Sequence, residues 1–153
     1  MHGGELKPAV RELLARIARA PQAPFHTRTA KEARAAYERA AEVLDLPRQP
    51  LPRVEDLMLP RRDGGFTPAR RYSVLAAGHS RSRAAPTLLY LHGGGFTIGS
   101  LNTHDSLCRQ LAHRSGVDVI ALDYRLAPEH RFPTAAEDAF DALQALSQEG
   151  PRF

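Results

Sequence analysis

Apolar side chains recur at helical spacing near the start of the chain. Val10, Leu13, Leu14 and Ile17 fall at positions i, i+3, i+4 and i+7. This spacing predicts an amphipathic helix, which must stop by Pro21 because proline cannot continue it.

A second helix is predicted between Thr29 and Pro47. The Thr29 hydroxyl can cap this helix while Glu32 reaches back to the backbone, an arrangement called a capping box. The apolar positions of the helix form one narrow face, made of Ala33, Ala36, Tyr37, Ala40 and Leu44. Prolines at positions 47, 50 and 52 then predict a linker that leaves the helical pair.

Two strands are predicted next, over residues 54–59 and 69–75, joined by a turn at Asp63-Gly64-Gly65. Polar and apolar residues alternate over residues 71–74, which is typical of a sheet with one face in water. We therefore expect an antiparallel hairpin.

The pattern changes after residue 85. Residues 87–91 and 117–122 are apolar on both faces apart from Asp118, which suits parallel strands covered by helices on both sides. A helix capped by Thr103 and ending at Gly116 is predicted between them, and a last helix begins with a second capping box, Thr134 with Glu137. This order predicts a right-handed βαβα unit in an α/β sheet. The expected buried face of the last helix is Ala136, Ala139, Phe140, Leu143 and Leu146.

Composition and charge exclude several classes of protein. No apolar run approaches the roughly 20 residues that span a bilayer, so we expect no membrane span. The net charge of +4 divides into +7 over residues 1–85 (16 basic, 9 acidic) and −3 over residues 86–153 (5 basic, 8 acidic). The basic residues form no stripe with stacking aromatics, so we expect no nucleic-acid partner.

The first 20 residues lack the uninterrupted apolar core of a secretory signal. The single cysteine, Cys108, cannot form an internal disulfide. Both observations predict a protein of the reducing cytoplasm. Cys108 falls in a predicted helix, where we expect it to be a small core side chain.

Three consecutive glycines directly follow the first buried strand. Glycine is costly to order, so three in a row indicate that backbone N–H groups must approach a ligand that no Cβ may obstruct. Such a turn can supply the donors that stabilise the oxyanion of an acyl-transfer reaction. We assign the donor role to Gly94 and Gly95, and the shaping of the turn to His92 and Gly93.

Alternatives to this interpretation stay open on the residues alone. The turn could be a strand-to-helix connection without a catalytic role, or a phosphate-binding nest, although no phosphate-loop glycine pattern is present. His104 and Asp105 could be mistaken for a catalytic pair. Adjacent helical residues face different ways, however, so we expect these two to cap and pin the helix.

Several segments in matching order and spacing resemble the hormone-sensitive-lipase family of carboxylesterases, over about residues 51–146. This resemblance implies an α/β-hydrolase fold, serine-dependent cleavage of a small carboxylic ester, no metal and no diffusible cofactor. It also implies a helical cap segment over residues 1–47 and an incomplete α/β-hydrolase core over residues 52–153. The matching segments are His92-Gly93-Gly94-Gly95-Phe96, Gly99-Ser100, His104-Asp105, residues 123–130 and Phe132-Pro133.

The resemblance places four residues in a layer that supports the glycine turn: Asp123, Tyr124, Arg125 and Glu129. We expect Arg125 to reach Glu129 or a backbone carbonyl. The alternative, which we favour for this loop, is a packed, salt-bridged segment that matters for stability alone.

The family pattern then breaks. It calls for Gly-Asp-Ser-Ala-Gly at a sharp turn, followed by an acid and a His, and the sequence contains no such elbow. Gly78-His79-Ser80-Arg81-Ser82 comes near, but it ends in Ser and lies in a polar linker, so we do not assign a nucleophile there. We predict that the chain carries the oxyanion loop, lacks the nucleophile and the triad acid and His, and is inactive alone.

Two functional hypotheses follow. The chain is the N-terminal part of a serine carboxylesterase, or it is a non-catalytic binding module or inactive remnant of the same fold. In the resembled fold the fourth strand lies between the second and third, so residues 87–91 should form an exposed apolar edge. Such an edge predicts self-association or docking of a missing C-terminal half.

Overall fold

The computed structural model describes residues 5–19, 24–79 and 86–149. Two helices in this part of the chain pack against the two faces of one four-stranded mixed sheet. Short 3-10 turns at Phe25–Thr27 and Asn102–His104 precede the second and third helices. The elements in chain order are α1 (Pro8–Arg19), α2 (Ala30–Leu44), β1 (Arg53–Pro60), β2 (Phe66–Ser73), β3 (Thr87–Leu91), α3 (Asp105–Ser115), β4 (Asp118–Leu122) and α4 (Thr134–Glu149).

The strands of the sheet lie in the order β1-β2-β4-β3. β1 and β2 pair antiparallel over their whole length, and β4 pairs antiparallel with β2 and parallel with β3. The predicted hairpin, the parallel pair and the position of the fourth strand are confirmed. β2 begins at Phe66, earlier than the predicted residue 69, because Pro68 belongs to the ladder. Pro68 lies opposite Met58, and its carbonyl accepts a hydrogen bond from the Asp123 N–H.

The start of α2 is confirmed in detail. The Glu32 N–H donates to Thr29 Oγ1 at 3.3 Å, and the Thr29 N–H donates to Glu32 Oε2 at 2.9 Å, which completes the capping box. Ala33 and Ala36 are buried as expected. Leu44 is 68% exposed, so the packed face of α2 ends before the last turn.

The predicted Thr103 cap is wrong. Thr103 lies inside the 3-10 turn, where its hydroxyl accepts from the Ser100 N–H at 2.9 Å, and α3 begins two residues later, at Asp105. The tighter turn moves the start of the helix beyond the reach of this hydroxyl. Gly116 ends α3 as predicted, in a left-handed conformation with φ of 68°.

The second predicted capping box is also wrong. Thr134 is the first helical residue of α4 rather than the residue before it. The Glu137 N–H donates to the Pro133 carbonyl at 3.0 Å, so the N–H that the Thr134 hydroxyl was expected to satisfy already has a backbone partner.

The predicted apolar face of α4 is wrong in its direction. Phe140 and Leu143 are 58% and 56% exposed, whereas Ala139 and Leu146 do pack against the core. The helix turns so that Asp138, Asp141, Ala142 and Ala145 are buried. Its two aspartates can lie inward because arginines from other elements pair with them.

Apolar side chains cover both faces of the sheet. One cluster lies under α4 and the other lies under α3, and β4, buried at all five positions, contributes alternate residues to each. Cys108 is fully buried, as predicted. The α4 cluster contains Leu59, Ala69, Ile120, Leu122, Tyr124 and Ala142; the α3 cluster contains Tyr72, Leu101, Cys108, Ala112, Val119 and Ala121.

β3 is an edge strand of the described sheet, with β4 on one side. Leu88 and Leu91 are 42% and 46% exposed, although both belong to an apolar strand. The exposed apolar edge expected at residues 87–91 is therefore confirmed.

α1 forms over the predicted residues, but none of them is buried. Val10, Leu13, Leu14 and Ile17 are each between 41% and 57% exposed, so the apolar face of α1 is uncovered. None of the helices in the described ranges has the length and apolar character that a membrane span needs.

Candidate active site

The three glycines after β3 form a tight turn that reverses the chain. Gly94 and Gly95 have φ of 131° and 59°, and Phe96 follows with φ of 59°. The N–H groups of Thr97 and Ile98 both donate to the Gly94 carbonyl at 3.1 Å, which closes the turn. A left-handed Phe is uncommon, and such strain is found mainly at functional sites.

Two glycines are required here by close approach. A Cβ on Gly94 would lie 2.0 Å from the Ile98 carbonyl oxygen. A Cβ on Gly99 would lie 2.3 Å from His92 Nδ1 and 2.5 Å from the Gly93 carbonyl oxygen. The segment from His92 to Gly99 is thus folded back on itself with no space for side chains at either glycine.

The amides of Gly94 and Gly95 are not used by the fold. Neither N–H donates a hydrogen bond within the described ranges, and the β3–β4 ladder ends before them, at Leu91 opposite Leu122. Gly95 is exposed and Gly94 is partly buried. Two adjacent unpaired N–H groups on a braced turn are capable of binding an anionic oxygen.

His92 lies under the turn, 5% exposed, and is held on both sides. The Tyr124 hydroxyl donates to the His92 carbonyl at 2.6 Å, and the rings of the two residues stack with centroids 4.3 Å apart. His92 Nδ1 lies 2.9 Å from the Gly93 carbonyl oxygen, a bond that requires the proton on Nδ1. Nε2 is buried and has no hydrogen-bond partner among the described residues.

His104 and Asp105 belong to different surroundings, so they do not form a catalytic pair. His104 stacks on His92 with ring centroids 5.6 Å apart, and its Nδ1 lies 2.9 Å from Thr103 Oγ1. Burial, together with the neighbouring His92, lowers the pKa of His104. Asp105 instead accepts from the Tyr72 hydroxyl at 3.0 Å and from Arg109 Nε at 2.7 Å. The bond from Tyr72 fixes α3 to β2, whereas the bond from Arg109 lies within α3. The expected cap is wrong for His104, which makes no side-chain capping hydrogen bond.

Asp123 follows β4, and the glycine turn follows β3, so both lie at the carboxyl-terminal ends of these two parallel strands. Burial raises the pKa of its carboxyl, and the nearby His92 and the hydrogen bond from the Leu101 N–H only partly oppose this effect. Asp123 is therefore a carboxyl group whose charge the fold compensates incompletely.

Arg125 was expected to reach Glu129 or a backbone carbonyl, and within the described ranges the structure pairs it with neither of these. Arg125 points toward α4, where its Nη2 donates to Asp138 Oδ1 at 2.6 Å and its own N–H donates to Asp138 Oδ2 at 2.9 Å. Glu129 points toward α2, where Arg34 binds it. Burial alone would raise the pKa of Asp138, but the hydrogen bonds from Arg125 lower it below its usual value.

Arg34 is the residue of this region that sequence reasoning missed. It extends from α2 and contacts the loop after Phe96 and the loop after β4. Its partners are 63 to 95 residues away along the chain, so no local spacing could have identified it.

A cleft of about 450 Å³ opens between α2 and the loop after β4. Its walls combine residues of the predicted supporting layer with two side chains of α2. Among the described residues, no group of three or more His, Cys, Asp or Glu side chains could hold a metal ion. Lining residues include Arg34, Glu38, Ser100, Asp123, Tyr124 and Glu129.

The remaining sequence candidates are only partly visible. The near match at residues 78–82 has its Ser80, Arg81 and Ser82 outside the described residues. His92, Gly93, Gly94, Gly95, Asp123 and Tyr124 are brought together at one edge of the sheet. Their functional roles stay predictions.

Comparison with known proteins agrees with this geometry. A family model described as alpha/beta hydrolase fold matches residues 88–153. The ethyl acetate hydrolase of Pseudomonas putida is 44% identical over 126 residues, which are 82% of this chain and 39% of that protein. Esterase LipI of Mycobacterium tuberculosis is 38% identical over 147 residues, which are 94% of this chain and 43% of that protein.

Solved structures of esterases share the fold. The hyperthermophilic esterase from the archaeon Pyrobaculum calidifontis superposes with a TM-score of 0.84 at 38% identity, over 96% of this chain and 45% of that one. The present chain thus spans about two fifths of the length of the curated relatives that it matches. On its strand order and these likenesses, the chain has the α/β-hydrolase fold and is similar, over most of its length, to esterases of the hormone-sensitive-lipase family.

Proposed function

We propose that this chain supplies the oxyanion-hole part of a serine-dependent carboxylic-ester hydrolase. The observation that carries the proposal is the pair of unpaired amides at Gly94 and Gly95, on a turn that leaves no space for a Cβ at its first donor. Similarity to esterases over most of this chain supports the reaction class.

In this reaction a serine oxygen attacks the ester carbonyl carbon, and the carbonyl oxygen becomes an oxyanion. N–H groups already aimed at that oxygen stabilise it without reorganisation, and one donor is worth about 3–4 kcal/mol in the best-measured case. Gly94 and Gly95 are the proposed donors. The proposed chemistry uses no metal and no diffusible cofactor.

The supporting roles follow from contacts. The His92 ring fills the space under the turn, and Gly93 provides the carbonyl that His92 Nδ1 binds. Tyr124 holds the His92 carbonyl from the end of β4. Asp123 binds the Leu101 N–H, and Arg125 and Glu129 anchor the loop after β4 to α4 and α2.

Residues 1–153 contain no nucleophile elbow, so the serine, the triad acid and the triad His of the proposed reaction lie outside these residues. We therefore propose that this chain has no ester-hydrolase activity alone. Residues 1–47 are the proposed cap segment and residues 52–153 the proposed core, in a cytoplasmic protein. Because one relative is named an ethyl acetate hydrolase, acetate esters are the first substrates to test.

The test is a p-nitrophenyl acetate and ethyl acetate assay on the purified chain. The chain is measured alone and after mixing with a separately expressed C-terminal segment of the Pseudomonas putida relative. Hydrolysis only in the mixture supports the proposal, and the C-terminal segment alone is the control. Full activity of the chain alone would contradict it. Complex formation without hydrolysis would favour the alternative, a non-catalytic binding module.

A further inference from the structure

Arg34 is the side chain through which α2 reaches the glycine turn. Its Nε donates to the Thr97 carbonyl at 2.8 Å, and its Nη2 donates to the Ala127 carbonyl at 2.8 Å. The other edge of the guanidinium binds both carboxylate oxygens of Glu129, at 2.9 Å and 2.7 Å. One planar group therefore joins a helix to two loops that are far apart in the sequence.

The Thr97 peptide is the closing end of the turn that carries the proposed donors. The Thr97 N–H binds the Gly94 carbonyl, while the Thr97 carbonyl binds Arg34. The position of Gly94 is thus linked to the guanidinium through a single residue. Movement of Arg34 would release the Thr97 carbonyl and loosen the hydrogen bond between the Thr97 N–H and the Gly94 carbonyl.

The loop after β4 completes the junction. The Ala127 N–H donates to the Phe96 carbonyl at 2.8 Å, and the Ala127 carbonyl accepts from Arg34. Arg34 therefore holds the turn both directly and through its neighbour. The Glu129 side chain orients the guanidinium, and its hydrogen bond with Arg34 lowers the pKa of Glu129 to about 2.

Glu38 makes a second contact from α2 to the segment that follows the glycine turn. Glu38 lies one helical turn after Arg34, and its Oε1 accepts from the Ser100 hydroxyl at 3.1 Å. The two side chains bind the chain on either side of Gly99, the glycine that packs on the His92 ring. Helix α2 thus fixes the segment after the glycine turn at two points.

We propose that Arg34 is a positioning residue that sets the direction of the Gly94 and Gly95 amides and couples it to the placement of α2. This inference rests on the proposed function for the catalytic meaning of those amides. The ion pair between Arg34 and Glu129 contributes little to the stability of the turn. The two side chains are 28% and 54% exposed, and exposed ion pairs contribute little to stability. Arg34 positions the turn through its hydrogen bonds to the main-chain carbonyls of Thr97 and Ala127. The planar guanidinium of arginine can make both bonds and still bind Glu129, whereas the ammonium of a lysine cannot make all of these bonds.

The experiment measures amide hydrogen exchange by NMR in this chain, which needs no second polypeptide. Arg34→Ala removes every hydrogen bond of the guanidinium, and Arg34→Lys keeps the positive charge but loses the planar group. Glu129→Gln leaves the bonds from Arg34 to the Thr97 and Ala127 carbonyls in place. Arg39→Ala is the matched control, since Arg39 is an exposed arginine on the same helix. We expect the Thr97 and Ile98 amides to exchange about tenfold faster in both Arg34 variants. Glu129→Gln should have a smaller effect, and Arg39→Ala and the β4 amides should not change.

Two results would overturn the inference. The first is equal Thr97 and Ile98 exchange in Arg34→Lys and Arg39→Ala. The second is faster exchange throughout β4 in Arg34→Lys, which would indicate a role in stability alone. If Arg34→Ala does not fold, Arg34→Lys decides the question.

The ester assay separates this inference from the proposed function. In the active mixture, Arg34→Lys should lower kcat about tenfold with little change in KM, because the donors act on the transition state. An unchanged kcat would overturn the inference. If the mixture of unaltered polypeptides shows no hydrolysis, the proposed function fails, and the exchange rates still decide whether Arg34 positions the turn.

Discussion

Replacing Gly94 by alanine tests the glycine turn most directly. The new Cβ would lie 2.0 Å from the Ile98 carbonyl oxygen and 2.6 Å from its carbonyl carbon. Real Cβ contacts are essentially never shorter than 3.0 Å, so the two backbone segments must separate by at least 1.0 Å. The φ of 131° adds strain, because side-chain-bearing residues rarely adopt it. We expect Gly94→Ala to lower the free energy of unfolding by about 2–3 kcal/mol.

Gly95→Ala is the matched control within the same turn. No atom lies within 4 Å of a Cβ at this position, and its φ of 59° is in the left-handed region that other residues can enter. The expected cost is about 1 kcal/mol, from the left-handed conformation alone. Both variants keep the N–H group, so they differ in whether the turn must move.

Urea denaturation followed by circular dichroism measures both costs on this chain. In the active mixture, Gly94→Ala should lose about a hundredfold in kcat, since a 1 Å displacement of a positioned group has an effect of that size. Gly95→Ala should lose less than about tenfold, in line with its smaller strain. Equal stability of the two variants, or a Gly94→Ala mixture with normal kcat, would refute this account of the turn.

Three further outcomes are expected. Burial raises the pKa of Asp123, so the folded chain holds the carboxyl proton more tightly than the unfolded chain does. Stability is therefore lost as the pH rises from the usual pKa of 3.8 through the raised pKa of the folded chain. Asp123→Asn should flatten that loss in denaturation curves, and an unchanged pH profile would contradict this prediction. Leu88→Lys should reduce concentration-dependent association in light scattering, because a charge on an edge strand opposes pairing; unaltered chain that stays monomeric at all concentrations would count against this. Burial, with the nearby Asp105 charge, raises the pKa of Cys108 to about 12, so the thiol should react with Ellman's reagent only after unfolding.

The features that could be predicted from the sequence are those whose partners lie within one turn or one strand. The capping box of Thr29 and Glu32 is correct because both groups lie at the same helix start. The same motif at Thr134 failed because the helix begins one residue too early for its hydroxyl to serve as a cap. A motif therefore predicts the bond only where the helix start is known independently.

Long-range pairing accounts for the other errors. Apolar periodicity predicted that Phe140 and Leu143 would face the core. Asp138 and Asp141 face it instead, because Arg125 and Arg62 arrive from other elements to bind them. The strand order was correct because the resemblance implied it, whereas periodicity alone gives no order.

The candidate site shows the same division. The glycine turn was located by its three residues, since their conformational freedom is a local property. That Glu129 binds the Arg34 guanidinium on α2 rather than Arg125 depends on how distant segments pack. Sequence reasoning therefore located the turn and missed Arg34.

The uncovered face of α1 has a consequence for how the molecule unfolds. With no buried residue and 12 residues in length, this helix is at the lower limit at which isolated helices persist in water. It should melt and re-form independently, with fast amide exchange and early proteolytic cleavage, while the sheet remains intact. A shortened polypeptide that begins at Pro24 should accordingly denature at the same urea concentration as the full chain.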